Sequence, residues 1–273
     1  MKYWKITALY YGQLTLSRAA FSGTVQPELV TDYPFGGFLL QNGSENVLVD
    51  TGMRESYYEK MAIGDVNPIG STEILLEALA KEGLTPADID TVIYSHLHYD
   101  HCGNIDLFYD KPTYVQKKEY NNMMNPYSFQ TARMDYFPDT PGMLAKVKNL
   151  IFVDGDIKLS NGLELYLTPG HSQGSQTIVV PTEKGRYVLT GDNPSAKYCL
   201  FPWLDKMTLM DGTTVDLTPI TDGSLKFLTG VFVPDQFSSY DSYYKQLALA
   251  EKPIPEYFIC NHEPENIFRK YFG

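Results

Sequence analysis

From residue 3 to residue 50 the pattern of apolar and polar positions reads as strands and turns. Met1-Lys2-Tyr3-Trp4-Lys5-Ile6-Thr7 alternates in the manner of a strand. Two apolar runs, Phe38–Gln41 and Asn46–Asp50, are joined by Asn42-Gly43-Ser44-Glu45, a hairpin by its turn residues. The period then changes. Ser71 to Glu82 predicts a helix, with Ser71 as cap, Ile74, Leu75, Ala78 and Leu79 as an apolar stripe, and Gly83 as the stop. The stripe is a packing face. Thr85-Pro86 opens a short turn, and Thr91-Val92-Ile93-Tyr94 reads as a buried strand.

Downstream, Thr113-Tyr114-Val115 predicts a short strand and Gln116 to Asn122 the start of a helix. Residues 123–149 show no firm period, and helical or irregular cover over the site is expected there. Ile151–Val153 and Leu163–Leu167 return to strand, and Thr177–Val180 with Tyr187–Thr190 predicts a hairpin. Tyr240 to Ala250 reads as a helix and Tyr257–Cys260 as a final strand. No repeat or linker divides the chain, so residues 1–273 are read as one domain. Within it, residues 194–239, rich in Pro, Asp, Thr and aromatics, are read as an insertion or cap.

Composition narrows the function. A hydrophobic fraction of 43% and a charged fraction of 20% are those of a globular protein. The net charge of −11 argues against nucleic acid as a partner, since phosphates would be repelled. No apolar run is long enough for a membrane span or a signal peptide. Cys102, Cys199 and Cys260 are odd in number and widely spaced, which suits reduced thiols in the cytoplasm. A small molecule is the expected partner.

The candidate chemistry begins where the strand Thr91–Tyr94 ends, at Ser95-His96-Leu97-His98-Tyr99-Asp100-His101. His96, His98, Asp100 and His101 are metal-ligand types crowded into one loop, and burying them without partners would be costly. Three further candidates stand at the ends of apolar strands: His171 in Thr168-Pro169-Gly170-His171-Ser172, Asp192 in Gly191-Asp192-Asn193, and His262 in Asn261-His262-Glu263. Each alone is a turn residue; their common placement gives them weight. Together they would hold two divalent ions, with Asp192 able to bridge. Zinc is the expected metal, and iron, manganese or cobalt also suit these donors. Asp50-Thr51-Gly52, by itself a turn, becomes beside this loop a carboxylate that orients ligands.

The order H-x-H-x-D-H, then His, Asp and His, resembles the metallo-β-lactamase superfamily over most of the chain. The segments Val47–Met53 and Ser95–His101 are most similar to N-acyl-homoserine lactonases. The resemblance implies an α+β fold, an αβ/βα sandwich of two mixed sheets flanked by helices, with the metals at one edge. It implies His96, His98 and His171 on one ion, Asp100, His101 and His262 on the other, and Asp192 between them. It further implies a hydrolase that opens a lactone, with hydroxide shared by the ions as nucleophile and Asp100 moving its proton. Tyr99 is the first candidate to wall an acyl chain; Phe35 is a weaker one, read by preference as core packing. One departure is clear. The lactonases carry a tyrosine three residues after the bridging Asp, where this chain has Ser195, and Tyr198 is the candidate to replace it as a catalytic residue. Thioester, other ester and phosphodiester hydrolysis are the alternatives within the fold. Outside it, a closed structural metal site would need only four ligands.

Overall fold

The computed structural model describes residues 3–60 and 68–273. Two sheets form its centre. The larger runs in the order Tyr271–Phe272, Lys5–Ser17, Val30–Gln41, Asn46–Val49, Thr91–Ile93, Pro112–Gln116, Asn149–Val153, with Ile69–Gly70 also paired to Lys5–Ser17. Its first strands are antiparallel, and those from Asn46–Val49 onward are parallel. The smaller sheet runs Phe258–Ile259, Gly185–Leu189, Gln176–Thr182, Glu164–Leu167, Ile157–Lys158. Met1 and Lys2, read as part of the first strand, lie outside the described residues.

The two-residue period sorts side chains between layers. Ile6, Ala8, Phe38, Leu40, Val47, Val49 and Ile93 of the large sheet pack against Ile178, Val180, Leu189 and Ile259 of the small one. Their neighbours point the other way. Leu39, Leu48 and Val92 meet the helix Thr72–Lys81 through Leu75, Ala78 and Leu79. Val179, Val188 and Phe258 meet Tyr243 of the helix Gln236–Leu249. The result is a helix–sheet–sheet–helix sandwich.

The helix Thr72–Lys81 ends as its sequence requires. Ser71 Oγ accepts the amide of Ile74 at 3.1 Å, and Gly83 takes a φ of +75° just beyond the last turn. The hairpin across 42–45 keeps Gln41 opposite Asn46. Residues 123–149 hold two short helices, Ser128–Arg133 and Thr140–Leu144, after the helix Lys117–Met124. Residues 194–239 contribute a small antiparallel pair, Lys206–Thr208 with Thr214–Asp216. Among the described residues, no helix is long and apolar enough to cross a membrane. The three cysteines are free thiols, all buried.

Candidate metal centre

Strand ends on one edge of the sandwich deliver every candidate ligand. His96, His98, Asp100 and His101 follow Thr91–Ile93, His171 follows Glu164–Leu167, Asp192 follows Gly185–Leu189, and His262 follows Phe258–Ile259. All seven are buried. Their potential ligand atoms fall into two groups, His96 with His98 and His171, and Asp100 with His101, Asp192 and His262, each within 4.8 Å. His171 Nε2 lies 3.2 Å from His96 Nε2 and 2.9 Å from His98 Nδ1. Asp192 reaches both groups: Oδ1 is 3.4 Å from His101 Nε2, while Oδ2 is 2.7 Å from His262 Nε2 and 3.6 Å from His171 Nε2. Asp100 Oδ2 lies 3.5 Å from His101 Nε2 and 3.7 Å from His262 Nε2.

The outer ring nitrogens are held by acceptors. His171 Nδ1 donates to the Phe232 carbonyl and His262 Nδ1 to the Pro34 carbonyl, both at 2.8 Å. His101 Nδ1 donates to Asp50 Oδ2 at 2.9 Å. Each bond turns Nε2 toward the cluster. Asp50 is fully buried and has a φ of +62°, a conformation an Asp tolerates better than most residues. Its Oδ1 accepts the Ser95 amide, and its Oδ2 also accepts Ser95 Oγ and Asn261 Nδ2, at 2.7–2.8 Å. Gly103 lets this edge close, because a Cβ there would meet the Gly52 carbonyl at 2.7 Å.

Electrostatics separates the rings. Burial, then the neighbouring imidazoles, push His96 and His98 well below the ordinary histidine range; burial also lowers His171. Burial opposes charge on His101 and His262 too, but surrounding carboxylates, Asp100 and Asp192 chief among them, raise both. Asp192 is held well below the carboxylate range, against its burial, by His262 and His101. His101 Nε2 and Asp192 Oδ1 are buried without a hydrogen-bond partner among the described residues. Such orphaned donor atoms, inside a set of imidazoles and carboxylates, fit a pair of divalent cations.

Sequence reasoning missed Glu119, a buried carboxylate in the helix Lys117–Met124. It accepts the Leu97 amide, Tyr136 OH, Ser172 Oγ and the Gly174 amide at 2.6–3.0 Å, so it ties the His96–His98 loop to the His171 turn. No motif announces it. Asp135 and Arg133 were missed for the same reason. Asp135 Oδ2 lies 3.9 Å from His98 Nε2 and binds Arg133 as a fork.

A cavity opens onto the cluster at His98, Asp100, His171, Asp192 and His262. Leu14, Leu16, Phe21, Phe35, Tyr99 and Phe232 give it an apolar wall, with Arg133 and Asp135 beside them. Tyr99 and Phe35 both line this cavity, and Phe35 is at the same time buried in the core, the role its sequence favoured. Tyr198 is not brought to this wall. Its hydroxyl meets that of Tyr33 at 3.1 Å, and Arg18 lies over its ring at 4.7 Å, so the aromatic sits in the core beneath. Ser195 Oγ donates to the Asp192 carbonyl at 3.0 Å.

Fold and ligand geometry agree with the family comparison: a model for the metallo-β-lactamase superfamily matches residues 37–260, and the chain belongs to that superfamily. Among individual relatives, an N-acyl homoserine lactonase of Bacillus cereus is 29% identical over 197 residues, 67% of this chain and 74% of that protein. The N-acyl homoserine lactonase AttM of Azorhizobium caulinodans is 36% identical over 126 residues, 44% of this chain and 46% of that one. A solved N-acyl homoserine lactone hydrolase, with N-hexanoyl-L-homoserine at its catalytic metal centre, superposes with a TM-score of 0.74 over the whole of both chains at 22% identity. AidC, described as a dizinc quorum-quenching lactonase, gives a TM-score of 0.62 over 90% of this chain and 83% of its own, at 18% identity.

Proposed function

We propose that this protein is a metal-dependent hydrolase that opens the ring of N-acyl-homoserine lactones. The observation carrying this reading is the convergence of two buried ligand groups, linked by Asp192, on a cavity whose remaining wall is largely apolar. The likeness to N-acyl homoserine lactonases over two thirds of the chain supports the substrate class.

His96, His98 and His171 would hold one divalent ion, Asp100, His101 and His262 a second, and Asp192 both; zinc suits these donors best. Bound there, the ions supply Lewis acidity and lower the pKa of water. The protein's own groups do the rest. Asp50 and the carbonyls of Pro34 and Phe232 keep the imidazoles turned inward. Asp100, whose Oδ2 faces His101 and His262 as the ligand atom, accepts the proton of the attacking water at Oδ1 and returns it to the ring oxygen as the C–O bond breaks. Leu14, Leu16, Phe21, Phe35 and Phe232 receive the acyl chain and keep bulk water from the carbonyl. Residues 194–239 act as a cap, since they supply Phe232 to this wall. The buried free thiols support a reducing, cytoplasmic setting.

The test is ring opening of N-hexanoyl-homoserine lactone, followed by acid release, with protein loaded with zinc, manganese or cobalt. Turnover that disappears on chelation, returns on reloading and is lost in His98→Ala is expected. Activity that survives complete metal removal overturns the mechanism.

A further inference from the structure

Arg133 is the one permanent cation among the described residues lining the cavity, in a wall that otherwise offers hydrocarbon and carboxylates. It is fixed from several sides. Nε and Nη2 donate to the two oxygens of Asp135 at 3.0 and 2.6 Å, and Nη1 donates to the Val231 carbonyl at 3.1 Å. The guanidinium also lies over the rings of Phe129 and Phe232, at 5.2 and 6.0 Å. These hydrogen bonds engage three of the five N–H groups an arginine carries, and the side chain remains 26% exposed. An arginine clamped in this way has already lost its rotamer freedom, so a further acceptor binds with little entropic cost.

Which acceptor follows from the charges. Asp135 offsets the guanidinium, and Asp100, Asp135 and Asp192 line the same cavity. At Arg133 itself a carboxylate or phosphate would be repelled by Asp135, which already neutralises the guanidinium. A neutral carbonyl would not, and it can use the free N–H groups. Through Asp135, which lies 3.9 Å from His98 Nε2, the guanidinium stands one side chain away from the ligand cluster. In an N-acylated lactone the amide carbonyl is only a few bonds from the ring carbonyl, so both can be engaged at once. Phe232 then lies at the start of the path for the acyl tail.

We propose that Arg133, clamped by Asp135 and Val231, is a recognition residue that binds the amide carbonyl of a neutral N-acylated lactone and so selects such lactones over those lacking the amide. The inference rests on the lactonase reading above and goes beyond it. Asp135 is in this account a positioning residue, holding Arg133 rather than touching substrate.

The experiment compares kcat/KM of zinc-loaded wild type, Arg133→Gln and Arg133→Lys on N-hexanoyl-homoserine lactone and on γ-decalactone, which has a ring and tail but no amide. Loss of one charge-assisted hydrogen bond should lower the ratio of the two kcat/KM values about tenfold or more in Arg133→Gln, mainly through KM for the amide substrate. Arg133→Lys, which lacks the fork, should recover only part of the ratio. A ratio unchanged within about threefold, or equal collapse on both lactones, overturns the proposal, since the residue would then be only structural. If wild type opens neither lactone, the lactonase reading falls and this proposal with it. If wild type opens both and the ratio stays constant, only the role of Arg133 falls.

Discussion

Replacing Glu119 with alanine should loosen the metal centre without touching a ligand. The Leu97 and Gly174 amides donate to Glu119, at 3.0 Å each. Tyr136 OH and Ser172 Oγ have other partners within reach, Asn122 Oδ1 at 3.0 Å and Ser175 Oγ at 2.7 Å. The substitution therefore strands two buried amides, each costing about 1–3 kcal/mol. Relief from burying a carboxylate offsets part of this, leaving an expected loss of about 2–4 kcal/mol. That is a large share of the roughly 5–15 kcal/mol that keeps a typical domain folded. Urea unfolding of Glu119→Ala beside wild type measures the loss, and metal analysis of the same samples reports whether the two ligand loops have separated. Metal content should fall, because Glu119 joins the His96–His98 loop to the His171 turn. A variant within about 0.5 kcal/mol of wild type and fully loaded would refute the reasoning.

Other consequences can be measured alongside. Burial holds the Glu119 carboxyl above the ordinary glutamate range, so the folded protein binds that proton more tightly than the unfolded chain. Wild-type stability relative to Glu119→Gln should therefore rise as pH falls through that raised range, and urea titrations at pH 7 and pH 5 would show the opposite trend if the sign were wrong. Asp50→Asn puts an amide N–H among groups that all donate to position 50, and should weaken metal affinity about 10–100-fold in competition with a chelator. Unchanged affinity would remove Asp50 from its orienting role. Tyr198→Phe leaves the Tyr33 hydroxyl without its partner, so a stability loss of about 1–2 kcal/mol with kcat within about threefold is expected; a large fall in kcat at constant stability would restore Tyr198 to the catalytic machinery.

Local signals were legible where the chain carries its own period or motif. Phe38, Leu40, Val47 and Val49 take one side of the sheet and Leu39 and Leu48 the other, as alternation demands. The helix after Ser71 shows its cap and stripe in sequence. The candidate ligands could be found because four of them share one loop and the others follow apolar strands. Residues 123–149 hid their structure because the helices there have only six and five residues, too few to display a period. Glu119, Arg133 and Asp135 belong to no motif: Arg133 and Asp135 pair locally, but their links to Val231 and His98, like those of Glu119 to Leu97 and Gly174, are made only by the fold. The carbonyls of Pro34 and Phe232 have no side-chain signature at all. Spacing from Asp192 singles out Tyr198, but spacing says nothing of which way a buried ring turns, and its hydroxyl meets Tyr33 while the residue is not among those lining the cavity.

The four donors that meet on Asp50 also constrain how this chain can drift. Ser95 and His101 belong to one loop and Asn261 lies 160 residues beyond His101, yet all three donate to the same carboxylate. Asparagine would oppose donor to donor, alanine would abandon all four, and glutamate would need room that a fully buried position lacks. None of these three replacements satisfies the four donors, and no partner can change first without leaving the carboxylate short. Escape needs coordinated substitutions in three distant segments. Variation is freer on the cavity wall, where one apolar side chain can replace another, so new substrate ranges can arise there while the carboxylate stays in place.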